Sequence, residues 1–207
     1  GEAIQVPMPE NLGQEAIRRT LVASLKRLAP GFLKTVALFE PPTGPTPVGY
    51  QYLGNALMEN NRVTNTDLRG GRVPEDVDLL IVVAPYQLNE RQVFAIDQFL
   101  MQGGTVFLST STRNIHVEAN LEVRAHQSGL QQWLAHHGLE VGAGLVMDPV
   151  NTEFPIPVER YVGTTSVQEI KRLPYPLFPD LRGDQLSRDS VITSGMDQLT
   201  VNWISPV

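Results

Sequence analysis

The residues that could do chemistry are few, and they cluster at the ends of apolar runs. Glu40 follows the run Lys34 to Phe39, and Asp148 follows Leu139 to Met147, with Glu153 a few residues on. Carboxylates gathered at one edge of a sheet can share a proton and act as acid and base. The stretch Ser109 to Asn114 reads STSTRN. Its hydroxyls and Arg113 could hold an anion, and the plainer reading is a polar surface loop. Four histidines are present, His116, His126, His136 and His137. Adjacent histidines on a helix point in different directions and no spacing pairs them with carboxylates, so they read as surface residues rather than metal ligands. The run Gly142-Ala143-Gly144 lies inside an apolar stretch, not at a turn into a helix, so it does not read as a phosphate cradle. No Gly-x-Ser-x-Gly elbow follows a strand.

Composition narrows the chemistry further. The 207 residues hold no cysteine, which excludes disulfides, thiolate metal sites and a cysteine nucleophile together. The net charge of −6 argues against binding to nucleic-acid phosphate. No apolar run reaches the length of a membrane span. The chain opens on Gly1 and closes shortly after Trp203. It reads as a piece of a longer protein whose membrane segments lie elsewhere.

The elements that must position these residues are organised around Asp76 to Thr110. Val77 to Ala84 is short, apolar and rich in β-branched residues, as expected of a strand covered on both faces. A helix follows the Pro85-Tyr86 break. Asn89 is placed to cap it with Gln92 three residues on, and Val93, Ile96, Phe99 and Leu100 form its apolar face. Gly103-Gly104 ends it, and Thr105 to Leu108 is a second strand. Strand, helix and strand with short links make a βαβ unit, hence a parallel sheet.

Before this unit, Gly13 to Leu28 reads as a helix and Lys34 to Glu40 as a strand. A proline-rich loop spans Pro41 to Val48. A second helix spans Gly49 to Asn60, with Tyr52, Leu53, Ala56 and Leu57 inward. Arg62 to Leu68 alternates like an edge strand. After it, Ile115 to Gln127 is weakly patterned, Gly129 to His137 reads as a helix and Leu139 to Met147 as a strand. Prolines then recur and the βα rhythm is lost. Strands are expected within Arg160 to Ile170 and Leu199 to Trp203, and a strand or turn over Asp189 to Met196. The aromatics of Tyr175 to Phe178 and Trp203 read as packed against the sheet rather than as a docking surface. The expected fold is thus α/β, with a parallel sheet over residues 1–150. An irregular, proline-rich β extension over residues 151–207 packs on the same domain.

Three segments carry a family resemblance. DVDLLIVVAP followed by LNERQVFAIDQFLMQGG fits a pattern D-x-L-x-x-x-x-P, then L-[NS]-E, D-Q-[FY]-[LI] and G-G. GLQQWLAHHGLEVGAGLVMDP and the closing YPLFPDLRGDQLSRDSVITSGMDQLTVNWISPV follow in the family's order, although Asp189-Ser190 stands where His-Pro is common. Over Lys34 to Val207 the chain resembles the GldG-like auxiliary components of ABC-type transport systems, first linked to bacterial gliding motility.

The resemblance implies that the parallel sheet is a Rossmann-like or flavodoxin-like three-layer fold, and that the chain is a non-enzymatic binding or scaffolding domain of an accessory protein. It implies anchoring in the bacterial inner membrane by segments outside this chain, with the soluble part on the periplasmic side. The implied partners are an ABC transporter permease and its ATPase subunit, with a small-molecule or peptide ligand as a further candidate. It implies no cofactor, no metal and no catalytic residue. On the residues, the expected contact site is the carboxyl edge of the sheet: Glu40, Pro41, Pro85, Ser109, Thr110, Ser111 and Arg113. The competing expectation is a hydrolase or carbohydrate-acting enzyme of amidotransferase-like fold, built on carboxylates at that same edge.

Overall fold

The computed structural model describes residues 13, 14, 17, 18, 21, 22, 33–41, 50–117, 121–162 and 165–207. Most of the helix expected over Gly13 to Leu28, and the proline-rich loop beyond Pro41, lie outside the described residues. Two compact units are present. The first comprises Gly1–Thr110 with Gln127–His136, and the second Ser111–His126 with His137–Val207.

The first unit is built on a four-stranded parallel sheet. Its strands are β1 (Thr35–Phe39), β2 (Arg62–Asn65), β3 (Leu79–Val83) and β4 (Thr105–Ser109), in the order β2-β1-β3-β4. The two inner strands are the two apolar runs. Val36 to Phe39 and Leu80 to Val83 are all buried, because a strand inside a parallel sheet is covered on both faces. Each such side chain contributes about 1.5–3 kcal/mol of burial. β4 alternates in exposure, as an outer strand does, while β2 half-buries Val63 and Thr64 between exposed ends rather than alternating as expected. Thr35 lies beside Arg62, and Leu79 beside Thr105.

Helix α1 (Gln51–Asn60) covers the sheet with part of the face expected. Leu53 and Leu57, together with Tyr50, pack on the cluster of Val36, Leu38, Ile81 and Val83. Tyr52 is 90% exposed and Ala56 is exposed.

Helix α2 (Glu90–Met101) has both ends built as its residues foretell. Gln92 N–H donates to Asn89 Oδ1 at 3.0 Å, and Asn89 N–H donates to Gln92 Oε1 at 3.1 Å. This reciprocal box satisfies two of the donors that a helix start leaves orphaned. At the other end Gly103, at φ +88°, donates to Leu100 and Gly104 donates to Phe99, the Schellman arrangement. The buried face of α2 is Gln92, Ala95 and Ile96. Helix α3 (Gln131–His136) buries Leu134 beside Leu130, and the Trp133 indole donates to Asp97 of α2 at 3.0 Å.

The second unit is antiparallel. The weakly patterned stretch after Arg113 is a hairpin of β5 (Arg113–His116) and β6 (Glu122–Ala125). Leu139 to Met147 does not form the expected strand. It bends at residues 143 and 144 and is pinned at intervals, by Gly142 N–H to Pro206 O at 2.8 Å and by Val146 N–H to Ile204 O at 2.9 Å. β7 (Asn151–Val162), β8 (Thr165–Arg182) and β9 (Gln198–Thr200) form a sheet in that order. Asp189 to Met196 is turns rather than strand.

The core of this unit is aromatic. Phe154, Tyr175, Phe178 and Trp203 meet at centroid distances of 4.7–6.5 Å, most of them edge to face. Beside them, Asp180 is buried and paired. It accepts from Gln198 Nε2 at 2.7 Å, Thr200 Oγ1 at 3.1 Å and Arg182 Nε at 2.8 Å. The fold is therefore α/β, with a parallel sheet followed by β-rich structure toward the C-terminus, as expected. Among the described residues no helix is long and apolar enough to cross a membrane.

Candidate functional site

The strand order fixes where the first unit can best receive a ligand or partner. β1 is followed in the chain by β2 on one side, while β3 lies on its other side. Chain direction across the sheet reverses there, and in such sheets the crevice beyond the carboxyl ends of the two strands is open. Glu40 and Pro41 follow β1 at this place, and Ala84 and Pro85 follow β3.

The loop after β3 is held in a costly shape. Ala84 has φ +40° and Gln87 φ +48°, both in the region that side chains other than glycine's avoid. Neighbouring backbone fixes them there. Ala84 N–H donates to Ser109 O at 2.8 Å, Gln87 N–H to Gln127 O at 2.8 Å, and Leu88 N–H to Ser128 O at 2.9 Å. The approach of Leu88 to Gly129 is so close that a Cβ on Gly129 would lie 2.5 Å from Leu88 O. On the neighbouring strand end, Gln92 Nε2 donates to Asp67 O at 2.8 Å, tying the start of α2 to the loop after β2. Residues held in such backbone conformations cost about 1–3 kcal/mol each and persist only where the surrounding structure fixes them.

Three chemical groups stand out there. Glu40 is half-buried. The Tyr50 phenol titrates above its ordinary value, first because it is buried and second because the Glu40 charge disfavours a phenolate. Tyr50 therefore stays a neutral hydroxyl donor near a carboxylate. Thr110 Oγ1, at the end of β4, is buried and has no hydrogen-bond partner among the described residues. A buried hydroxyl without a partner is uncommon, and a bound group or water at that spot would satisfy it.

The expected site residues divide. Glu40, Pro41, Pro85, Ser109 and Thr110 fall in the first unit, and Ser111 and Arg113 in the second. Pro85 is fully buried, so it packs beneath the edge. Ser111 Oγ lies 3.0 Å from Ser205 Oγ and accepts from Arg113 N–H at 3.1 Å. Thr112 Oγ1 donates to Gly142 O at 2.7 Å, and Arg113 Nε donates to Ala143 O at 2.7 Å. Thr112 and Arg113 thus fasten Gly142 and Ala143 within the second unit.

Of the three carboxylates, Glu40 belongs to the first unit and Asp148 and Glu153 to the second. Asp148 Oδ1 accepts from Val150 N–H at 2.7 Å, which closes its own turn. Among the described residues no cluster of histidines and carboxylates could hold a metal ion. A shallow cavity of about 640 Å³ lies at the opposite end of the first unit's sheet, lined by Arg72, Asp76, Phe94, Gln98 and Phe99 among others. Reading the residues alone missed Tyr50, and it missed the bond from Gln92 to Asp67. Tyr50 left one signal, an aromatic at the mouth of the helix that follows the β1 loop.

The comparisons with known proteins bear on the same stretch. The family model described as "ABC-type uncharacterized transport system" matches residues 33–207. The chain belongs to that family. Its role is therefore that of an auxiliary domain associated with an ABC-type transport system. The match begins just before β1 and takes in both units, so the sheet with its carboxyl edge and the antiparallel part belong to one family domain. No curated protein and no solved structure matches the chain.

Proposed function

We propose that this family member is a non-enzymatic binding or scaffolding domain of an ABC transporter accessory protein. It works on the extracytoplasmic side of a bacterial inner membrane, beside a permease and an ATPase. The carboxyl edge of the first unit's sheet is the contact surface, with Glu40, Pro41, Tyr50 and Thr110 as its chemistry. The family match over residues 33–207 carries the reading. The switch point between β1 and β3, the strained loop at Ala84 and the buried Thr110 hydroxyl, without a partner among the described residues, support the choice of surface. The GldG-like resemblance of the sequence supports the location and the partners.

The test is co-purification of the native protein from gently solubilised membranes. An ATPase and a permease in fixed ratio are the expected outcome. Recovery from the soluble fraction with neither would sink the reading. In the same assay Thr110→Val removes the hydroxyl while keeping the shape. It should weaken the complex without lowering the melting temperature. An unchanged complex would remove Thr110 from the surface.

A further inference from the structure

The ribbon of β7 and β8 protects one of its two outer edges and leaves the other open. Pro155 stands opposite Arg172, and Pro157 opposite Ile170. Proline has no N–H to give a ladder, so within a sheet it sits where that position faces outward. Both prolines have the same parity, so odd-numbered residues of β7 face its free edge, and Phe154, Ile156 and Val158 face β8. Their partners Leu173, Lys171 and Glu169 face back toward β7. It follows that the N–H and C=O groups of Ser166, Gln168, Ile170 and Arg172 point away from β7.

Among the described residues β9 covers β8 only at Asp180 to Arg182. The outer edge from Ser166 to Arg172 is therefore unpaired. It ends at Pro174, which shares the outward parity and gives no donor. Side chains along it are apolar as well as charged: Ile170 is 70% exposed, Val167 48% and Leu173 40%. The contrast matters, because two prolines blunt the β7 edge against pairing and none blunts this stretch of β8.

We infer that the β8 edge pairs with the same edge of a second copy of this chain, antiparallel and centred on Ile170. Charge complementarity selects both the partner and the register. Centred on Ile170, the two strands set Glu169 opposite Lys171 and Lys171 opposite Glu169. Val167 then faces Leu173 in both directions, and Gln168 faces Arg172. Moving the centre to Glu169 puts two carboxylates face to face, and moving it to Lys171 puts two ammonium groups face to face. Like charges directly opposite are destabilising, while opposite charges and apolar pairs add to the ladder. The Ile170 register also makes the outward residues the narrow, hydrogen-bonded pairs, as their parity requires. A lysine on an edge strand ordinarily discourages pairing; here the second copy brings its own neutralising partner. The product is a four-stranded antiparallel sheet across a two-fold axis, an isologous interface.

Sedimentation of the 207-residue chain over a range of concentrations tests this. The wild-type chain should reach a dimer, and a monomer at every concentration overturns the inference. Ile170→Pro removes an outward N–H and leaves the β7 ladder intact. It should give a monomer with an unchanged circular dichroism spectrum, whereas a persisting dimer overturns the edge assignment. Glu169→Lys and Lys171→Glu should each weaken dimerisation at least roughly tenfold, since each puts like charges opposite at both ends of the register. The two variants mixed should associate with one another, and the double exchange Glu169→Lys with Lys171→Glu should restore the dimer. Single variants that dimerise like wild type, or a double variant that stays monomeric, would overturn the register.

Discussion

The two units solve the same problem with different materials. The first buries aliphatic side chains from two central strands, Val36 to Phe39 and Leu80 to Val83, and caps them with helices. The second exposes most of its strand residues and gathers its buried material into four aromatic rings and one ion-paired carboxylate. Burial spread evenly over a sheet makes many small contributions. Burial concentrated in Phe178 and its neighbours makes each ring decisive, because edge-to-face pairs add to their area of burial. The second unit should thus be more sensitive to single substitutions at its centre.

The largest expected effect tests that contrast. Phe178→Ala should cost about 3–5 kcal/mol, and Leu80→Ala about 2–5 kcal/mol. Hydrogen exchange then reads where each loss falls. Phe178→Ala should unprotect amides of β8 and β9, and Leu80→Ala those of β1 and β3. Equal loss of protection throughout both units after either substitution would break the comparison.

Backbone fit gives the next effect. Gly129 has φ +85°, and a Cβ there would strike Leu88 O at 2.5 Å. Gly129→Ala should cost more than about 1 kcal/mol, since an incompatible φ and a clash with fixed backbone act together. Urea denaturation measures it. The loss of the Asn89 cap should be smaller, about 0.5–2 kcal/mol for Asn89→Ala. Gln92→Ala removes the return half of the box and the bond to Asp67 together, so it should cost at least as much as Asn89→Ala.

What the residues disclosed follows the same division. The central strands of the first unit were legible because they are covered on both faces, and α2 because its cap and its Gly103 stop depend on local chemistry. Of the α1 face, Leu53 and Leu57 were legible from their helical spacing, whereas Tyr52 and Ala56, one position before each, face solvent. In the second unit, local patterning says little. Leu139 to Met147 is apolar enough for a strand, but its partners are single backbone contacts far along the chain, at Pro206 and Ile204. The prolines of residues 155–179 hid a long ribbon, because proline breaks a strand pattern only where its missing N–H would face the ladder. Of the candidate site, the strand-end residues were legible, and Tyr50 was not, because its proximity to Glu40 arises from the fold.

The smallest effect separates the units by their acids. Asp78 sits at the amino edge of the first sheet, where Lys34 Nζ at 2.7 Å and Thr35 N–H at 2.8 Å hold its carboxyl below the usual range. Burial alone would raise the pKa of Asp180 in the second unit. The hydrogen bonds from Gln198, Arg182 and Thr200 and the guanidinium charge outweigh it, so this pKa too is lowered. For a lowered folded-state pKa, the stabilisation is present above the unfolded carboxyl value, about 3.9, and is lost as pH falls through the folded one. Both acids should therefore weaken the fold only in the acid range, below about pH 4. Salt tells them apart. The Lys34–Asp78 side chains are 69% and 38% exposed, while the Asp180 side chain is 6% exposed. Ions screen the first pair and hardly reach the second carboxylate. Acid titration followed by exchange at β1 and at β9 should show the β1 dependence shrinking in high salt and the β9 dependence persisting. Equal shrinkage at both would mean that Asp180 is as open to water as Asp78, and that the second unit has no buried polar anchor.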